Sequence, residues 1–462
     1  MKLSKGILQV ILANLINLII SIGNGFLLPK FLSLESYADL KTFFLYTSYI
    51  GILHLGYVDG IYMKYGGRTI ETIGEEEFAK EKRILSLFQF GITVPIVLAA
   101  FMMGDSNLLF AAISILPINM VFLFKFIYQA TGEFKEYRRI TNFSPILIFL
   151  LNLLSLFIIK TDRSLCYIGI QVVISFVVWG YYERRNRITR VSKKLSLKEM
   201  WICLNGNIRM GFIIMLGNFM GIWITSIDRW FVKILYSVAD FAYYSFAVTM
   251  LRLINVVVTA FSVTLYNFFC KKPEDKEIAM LRKVVLAVGA AIVAIIFPVE
   301  FVIRTYLEKY IYAIPIIKVL FMVQFVLVEV NAVYLNLYKA FNFQKKYLTR
   351  MIIVTIIAFF LNGMIGYLWN DIIAYAVATL LTAFIWLILC QIDLPEYKMV
   401  HREWAYFLST ILAYFFSGYF NMWVGMIIYV CWVIVETCLL FLRDAKRLVH
   451  ETISEKIEGN KI

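Results

Sequence analysis

Some features are scarce or missing in this 462-residue sequence, and each absence narrows the reading. Charge is thin: 16% of residues are Asp, Glu, Lys or Arg, against 61% hydrophobic. A soluble domain carries about 25% charged residues, so a soluble globular fold is excluded. No loop between apolar runs exceeds about 30 residues, which leaves no room for a large extramembrane catalytic domain. No GxxxxGK[ST] is present, so no P-loop nucleotide site is expected. The six cysteines form neither CxxC nor a metal-type spacing, and there are only three histidines. No metal and no cofactor is expected. No acidic pair in a usable loop and no nucleophile elbow appears, and the chain is not expected to be an enzyme. The net charge is +14, but with no soluble basic domain it does not point to nucleic acid.

What remains is length and apolarity. Apolar runs of roughly 17–27 residues predict about fourteen membrane spans. They lie near 6–28, 37–63, 84–104, 108–130, 142–160, 165–182, 207–228, 239–268, 284–303, 313–338, 349–368, 372–392, 404–419 and 421–442. The fold class is all-α, a polytopic membrane protein. The first run is too long for a signal-peptide core and reads as an uncleaved helix. With the N-terminus in the cytoplasm, about three quarters of the lysines and arginines fall in inside segments. The outside loops hold only Lys30, Lys160, Arg163, Arg229, Lys233, Arg304 and Lys309. Both termini are therefore expected in the cytoplasm. The basic loop Glu183–Met200, with Arg184, Arg185, Arg187, Arg190, Lys193, Lys194 and Lys198, reads as a topology anchor near anionic headgroups.

The chain also repeats itself. At an offset of 204, Asn14, Ser21 and Asn24 match Asn218, Thr225 and Asp228. At 210, Tyr128-x-Ala130 and Lys135-x-Tyr137 match Tyr338-x-Ala340 and Lys345-x-Tyr347. Each unit has six spans, an even number, so the repeat is parallel about an axis along the membrane normal. The expected organisation is a six-helix lobe over 1–200, a second over 201–395, an additional hairpin over 396–442 and a cytoplasmic tail over 443–462.

One stretch organises the rest. Between Phe241 and Tyr266 the polar residues are Ser245, Thr249, Arg252, Asn255, Thr259, Ser262 and Tyr266. Steps of three and four place all seven on one helical face. An arginine near mid-membrane costs about 2.5–3.5 kcal/mol on insertion scales, so it should face water, a ligand or a partner. This face reads as the wall of a water-filled path, or else as a face buried against neighbouring helices with Arg252 paired. The repeat register sets Lys41 and Ser48 at the positions of Ser245 and Arg252, and Lys41 and Asp59, 18 residues apart, would share one face of an unbroken helix. The candidate substrate residues are Arg252, Lys41, Asn255, Thr249, Ser48, Lys125, Asn14 and Asn218. Glu329, Asp59, Asp228 and His54 are candidates for ion coupling. Lys64, Arg229, Lys233 and Lys318 read as snorkelling cations near span ends. An excess of buried cations suits an anionic substrate such as a phosphate or pyrophosphate headgroup. Pro95, Pro117, Pro298 and Pro315 are expected to break or kink their helices.

Three stretches carry a resemblance. They are Leu27 to Ala38 (LLPKFLSLESYA), Leu55 to Gly67 (LGYVDGIYMKYGG), and Asp228-Arg229-Trp230-Phe231 with the Ala239–Tyr244 segment that follows. On these the chain resembles the polysaccharide (Wzx-like) flippases of the multidrug/oligosaccharidyl-lipid/polysaccharide (MOP) exporter superfamily. The resemblance implies two lobes around a cationic cavity. It also implies translocation of an undecaprenyl-pyrophosphate-linked oligosaccharide from the inner to the outer leaflet of a bacterial plasma membrane. The partners it implies are that lipid-linked substrate, membrane lipids, and a polysaccharide polymerase or chain-length protein. The competing readings are a cation-coupled multidrug or small-solute exporter of the same superfamily, and a membrane glycan polymerase or acyltransferase.

Overall fold

A computed structural model describes the backbone of residues 2–185, 196–269, 273–341 and 343–459. Side chains are described from residue 16 to 442 with some exceptions, among them positions 256, 257, 259–261 and 266. The side chains of Asn14, Thr259 and Tyr266, and Arg187, Arg190, Lys193 and Lys194 of the basic loop, lie outside the described residues.

All regular structure among the described residues is helical. The helices are α1 (Lys2–Phe31), α2 (Leu34–Thr47), α3 (Tyr57–Tyr65), α4 (Glu75–Met103), α5 (Ser106–Ile113), α6 (Ile115–Ala130), α7 (Phe134–Leu154), α8 (Ser164–Arg185), α9 (Leu197–Ile224) and α10 (Ile227–Leu235). They continue as α11 (Val238–Phe269), α12 (Asp275–Val293), α13 (Ile296–Tyr306), α14 (Ile314–Glu329), α15 (Leu335–Ala340), α16 (Gln344–Leu368), α17 (Ile373–Asp393), α18 (His401–Ser417) and α19 (Met422–Gly459). Each of the fourteen expected spans falls on one helix or on a helix pair with a local break. Ten helical stretches among the described residues are long and apolar enough to cross a bilayer. The protein is a multi-pass membrane protein. Of the other expected spans, 37–63 is interrupted and α18 has 17 residues.

Several breaks have proline as their cause. Pro117 and Pro298 each follow the helix break by three or four residues, at Ser114 and Ala294. A proline ring clashes with the carbonyl one turn earlier and leaves it unbonded, so the chain breaks there. Pro315 instead occupies the first turn of α14, where no amide donor is missed.

Packing divides the chain into two compact units, 1–245 and 246–462. The division falls inside α11, later than residue 200, because α9 packs along α3 in the first unit. At the core of the first unit is the short helix α3. Tyr57, Val58, Ile61 and Tyr65 are fully buried there among side chains of α4, α6 and α8. The second unit is built on α14, which is mostly apolar and buried along almost its whole length. A helix so apolar must be surrounded by protein or lipid, and α12 and α17 cover this one. The terminal hairpin belongs to this unit: α18 and α19 both pack against α12.

Candidate ion and substrate sites

In the first unit the second span does not run through. Helix α2 ends at Thr47, a 3₁₀ turn covers Ile50–His54, and Leu55 and Gly56 take φ of 51° and 86° before α3 begins. An argument from helical turns across this break fails. Lys41 and Asp59 therefore do not share a face by periodicity. The break has a function of its own, because it folds His54 back over the first turn of α3. The Gly56 amide donates to His54 Nδ1 at 3.1 Å. In the neutral ring Nε2 then carries the proton, and it stands 3.8 Å from Asp59 Oδ2. Both residues are buried.

Glycine sets the distance between α3 and α9. A Cβ on Gly60 would lie 2.0 Å from the Asn207 carbonyl oxygen, and one on Gly211 would lie 2.1 Å from the Gly56 carbonyl oxygen. Only backbone against backbone fits there. Asn218 lies two turns beyond Gly211, on the same face of α9. The result is a cavity of ≈ 140 Å³ lined by Tyr49, His54, Asp59, Phe126, Asn218 and Phe219, among others. Liquid water takes about 30 Å³ per molecule, so this space suits an ion or a few waters and not a sugar phosphate. Three candidates, His54 and Asp59 from the second span and Asn218 from the seventh, thus come together.

The other first-unit candidates lie elsewhere. Lys41 is half-buried, its Nζ 4.9 Å from the Tyr37 ring centre and 5.5 Å from Phe44. Ser48 donates to the Leu45 carbonyl and ends α2. Lys125 is half-buried on α6, over the Tyr137 ring. Asp228 accepts from the Tyr244 hydroxyl and from the Arg229 amide, both at 2.7 Å, which ties α10 to α11. The snorkelling account is corrected for Arg229, and two of the other three cations are held in ion pairs. Arg229 is 6% exposed, so its head is not in water. Lys64 bridges Glu77 and Glu81, Lys318 pairs with Glu300 at 3.0 Å, and Lys233 stands over the Tyr46 ring. Burial alone would lower the Lys64 ammonium, but its hydrogen bonds to Glu77 and Glu81 outweigh that and raise it. Its stabilising charge is full below the ordinary lysine value and is lost only as pH climbs through the raised one.

The polar stripe on α11 does not behave as one face. Ser245 is buried. Thr249 and Asn255 are half-buried and Arg252 is exposed. Ser262 is engaged: it donates to the Asn331 carbonyl at 3.0 Å, and the Asn336 amide donates to its carbonyl and hydroxyl oxygens at 2.8 and 3.0 Å. The lower end of the stripe is therefore a helix contact, while the Arg252 region keeps an open side.

The second unit holds a buried charge cluster. Arg282 on α12 donates through Nε to Glu403 Oε2 of α18 at 3.0 Å, with Nη2 2.7 Å from the same oxygen. Its Nη1 donates to the Tyr397 carbonyl, which the Tyr334 hydroxyl also reaches. Glu329 ends α14 within electrostatic reach of both Arg282 and Glu403. It is 0% exposed, and neither carboxylate oxygen has a hydrogen-bond partner among the described residues. The sequence reading missed this pairing. Arg282 falls among loop cations when charges are counted along the chain, and Glu403 lies at a span edge. Nothing local announces that they meet 121 residues apart.

No family model matches the sequence, and no curated protein matches it. Solved structures do. The lipid II flippase MurJ in an inward closed conformation matches with a TM-score of 0.70 at 14% identity, covering 95% of this chain and 99% of that one. A multidrug resistance MATE family transporter of the MOP superfamily, inward-facing, matches with a TM-score of 0.60 at 14% identity, covering 83% and 95%. The chain shares the fold of these two proteins. Likeness at this identity is a likeness of fold, and it extends along nearly the whole chain.

Proposed function

We propose that the protein moves an undecaprenyl-pyrophosphate-linked oligosaccharide from the inner to the outer leaflet of a bacterial plasma membrane by alternating access, for surface polysaccharide assembly. The observation that carries this reading is Arg252. It is an exposed cation on a 32-residue helix whose other described side chains around it are mostly apolar and buried. An exposed guanidinium in a membrane helix is suited to hold an anionic group, and a pyrophosphate is one. Asn255 and Thr249 are its proposed companions at the headgroup, and Lys41 is proposed as a further substrate residue. The likeness to a flippase and a transporter supports transport over catalysis. Both termini are placed in the cytoplasm, from the distribution of basic loops. A polysaccharide polymerase or chain-length protein is the proposed partner.

A deletion strain tests the reading. Full-length lipid-linked repeat units trapped on the cytoplasmic leaflet are the expected result. Units that reach the outer leaflet but stay unpolymerised would instead place the protein after translocation, as a polymerase or acyltransferase. A second reading, cation-coupled export of a small solute, is favoured by the small acidic cavity at His54 and Asp59. Increased drug sensitivity of the deletion strain, with no trapped glycan, would select it.

A further inference from the structure

At the end of α8 that leads into the basic loop, four residues form one line along the helix. Val173, Val177, Gly180 and Arg184 follow one another at steps of four, three and four. Val173 and Val177 are 57% and 46% exposed. In a helix long and apolar enough to cross a bilayer, such side chains face acyl chains. Gly180 comes next, and a Cβ there would meet nothing within 4 Å. The line ends at Arg184, which is exposed and has no ion-pair or hydrogen-bond partner among the described residues. Apolar surface, a notch and a cation thus succeed one another in the order in which a phospholipid carries its acyl chain, glycerol and phosphate.

The charges beside this line leave an excess of cations. Glu183 is held by Lys82 of α4. Glu136 of α7 takes two guanidinium groups on one oxygen, Arg139 at 2.6 Å and Arg185 at 3.0 Å. Two carboxylates therefore meet three cations, and Arg184 makes a fourth. Arg185 is held in place from both sides, because its Nη1 also donates to the Tyr181 hydroxyl at 3.1 Å. A cavity of ≈ 920 Å³ lies along this end of α8, with Val177, Trp179, Gly180, Tyr181, Arg184 and Arg185 on its wall. Tryptophan and tyrosine are the residues that membrane helices place at headgroup level.

We propose that this face of α8 binds one anionic phospholipid. Arg184 and Arg185 hold the phosphodiester, the notch at Gly180 takes the glycerol backbone, and an acyl chain runs along Val177 and Val173. The cation excess favours a headgroup with net negative charge, such as phosphatidylglycerol, over a zwitterionic one whose ammonium would meet the same cations. The apolar line favours a lipid over free phosphate, which makes no use of it. A diffuse attraction of the basic loop for anionic headgroups needs neither the notch nor the apolar line. The site lies within the first unit and is independent of what the protein transports.

The test uses the purified full-length protein in detergent. Phosphatidylglycerol and phosphatidylethanolamine with identical acyl chains are titrated separately, and bound lipid is counted by native mass spectrometry. The expected result is one phosphatidylglycerol per chain at concentrations where phosphatidylethanolamine does not bind. Arg184→Ala is expected to weaken that binding about fivefold, the worth of one cation beside an anionic headgroup. Gly180→Leu fills the notch and should weaken it at least as much. Its unfolding midpoint in lipid-free detergent should stay unchanged, because the added side chain starts in open space. Gly169→Leu, on the same helix and equally open, is the control and should bind as the wild type does. Equal binding of the two lipids overturns the proposal. So does displacement of phosphatidylglycerol by millimolar inorganic phosphate, which would mean an anion site without lipid. Wild-type binding by Gly180→Leu also overturns it, since the attraction would then belong to the basic residues alone.

Discussion

At the scale of single residues, charge placement decides what each side chain does. Breaking a buried pair strands its partner and typically costs about 3–5 kcal/mol. Glu403→Ala, which leaves Arg282 at 3% exposure without its carboxylate, is expected to lower the unfolding midpoint clearly. Replacing both partners by apolar residues, Arg282→Met with Glu403→Leu, should recover much of that loss. A double variant no more stable than Glu403→Ala would show that the pair does more than cancel its own burial cost. Arg252 is different, because its exposed side contributes little to packing. Arg252→Ala should abolish surface glycan export with protein level and unfolding midpoint unchanged. Normal export in that strain would remove it from the substrate path. The sequence announced Arg252 and Glu329 by depth within an apolar run. It was silent about Arg282 and Glu403, because both sit at run edges where an arginine or glutamate is ordinary.

At the scale of elements, close approach does what hydrophobicity cannot. Lipid tails are as apolar as leucine, so helices in a bilayer are held by packing contacts and hydrogen bonds. The α3–α9 contact depends on Gly60 and Gly211, where any Cβ meets backbone. Gly211→Leu is therefore expected to separate the two helices and open the cavity at His54 and Asp59, at a cost of at least about 1–3 kcal/mol. Gly206→Leu, on the same helix but with nothing within 4 Å of its Cβ, is the control. Equal unfolding midpoints for the two variants would contradict the packing account. The second span shows the limit of periodicity. Its apolar run from 37 to 63 reads as one helix, yet the left-handed residues Leu55 and Gly56 end one direction and start another. A glycine there is visible in the sequence. Its conformation is not, because it follows from how closely α9 approaches.

At the scale of the whole molecule, topology and transport are the testable properties. Reporter fusions at both termini are expected to give cytoplasmic signals, and an external signal at either end would overturn the orientation taken from the basic loops. What the sequence by itself determined was the class of protein, the all-helical fold, the helix positions and the cationic residue on α11. Those depend on run length, composition and a repeat of three and four residues, all local quantities. What the tertiary structure decided was which distant residues meet: His54 and Asp59 with Asn218, Arg282 with Glu403, and the polar stripe of α11 with the turn after Glu329. It also decided that the terminal hairpin packs into the second unit. The physical reason is that a membrane helix announces its length through apolar side chains but its neighbours only through small residues and buried polar groups. Their partners lie on helices dozens to more than a hundred residues away, and only packing brings them together.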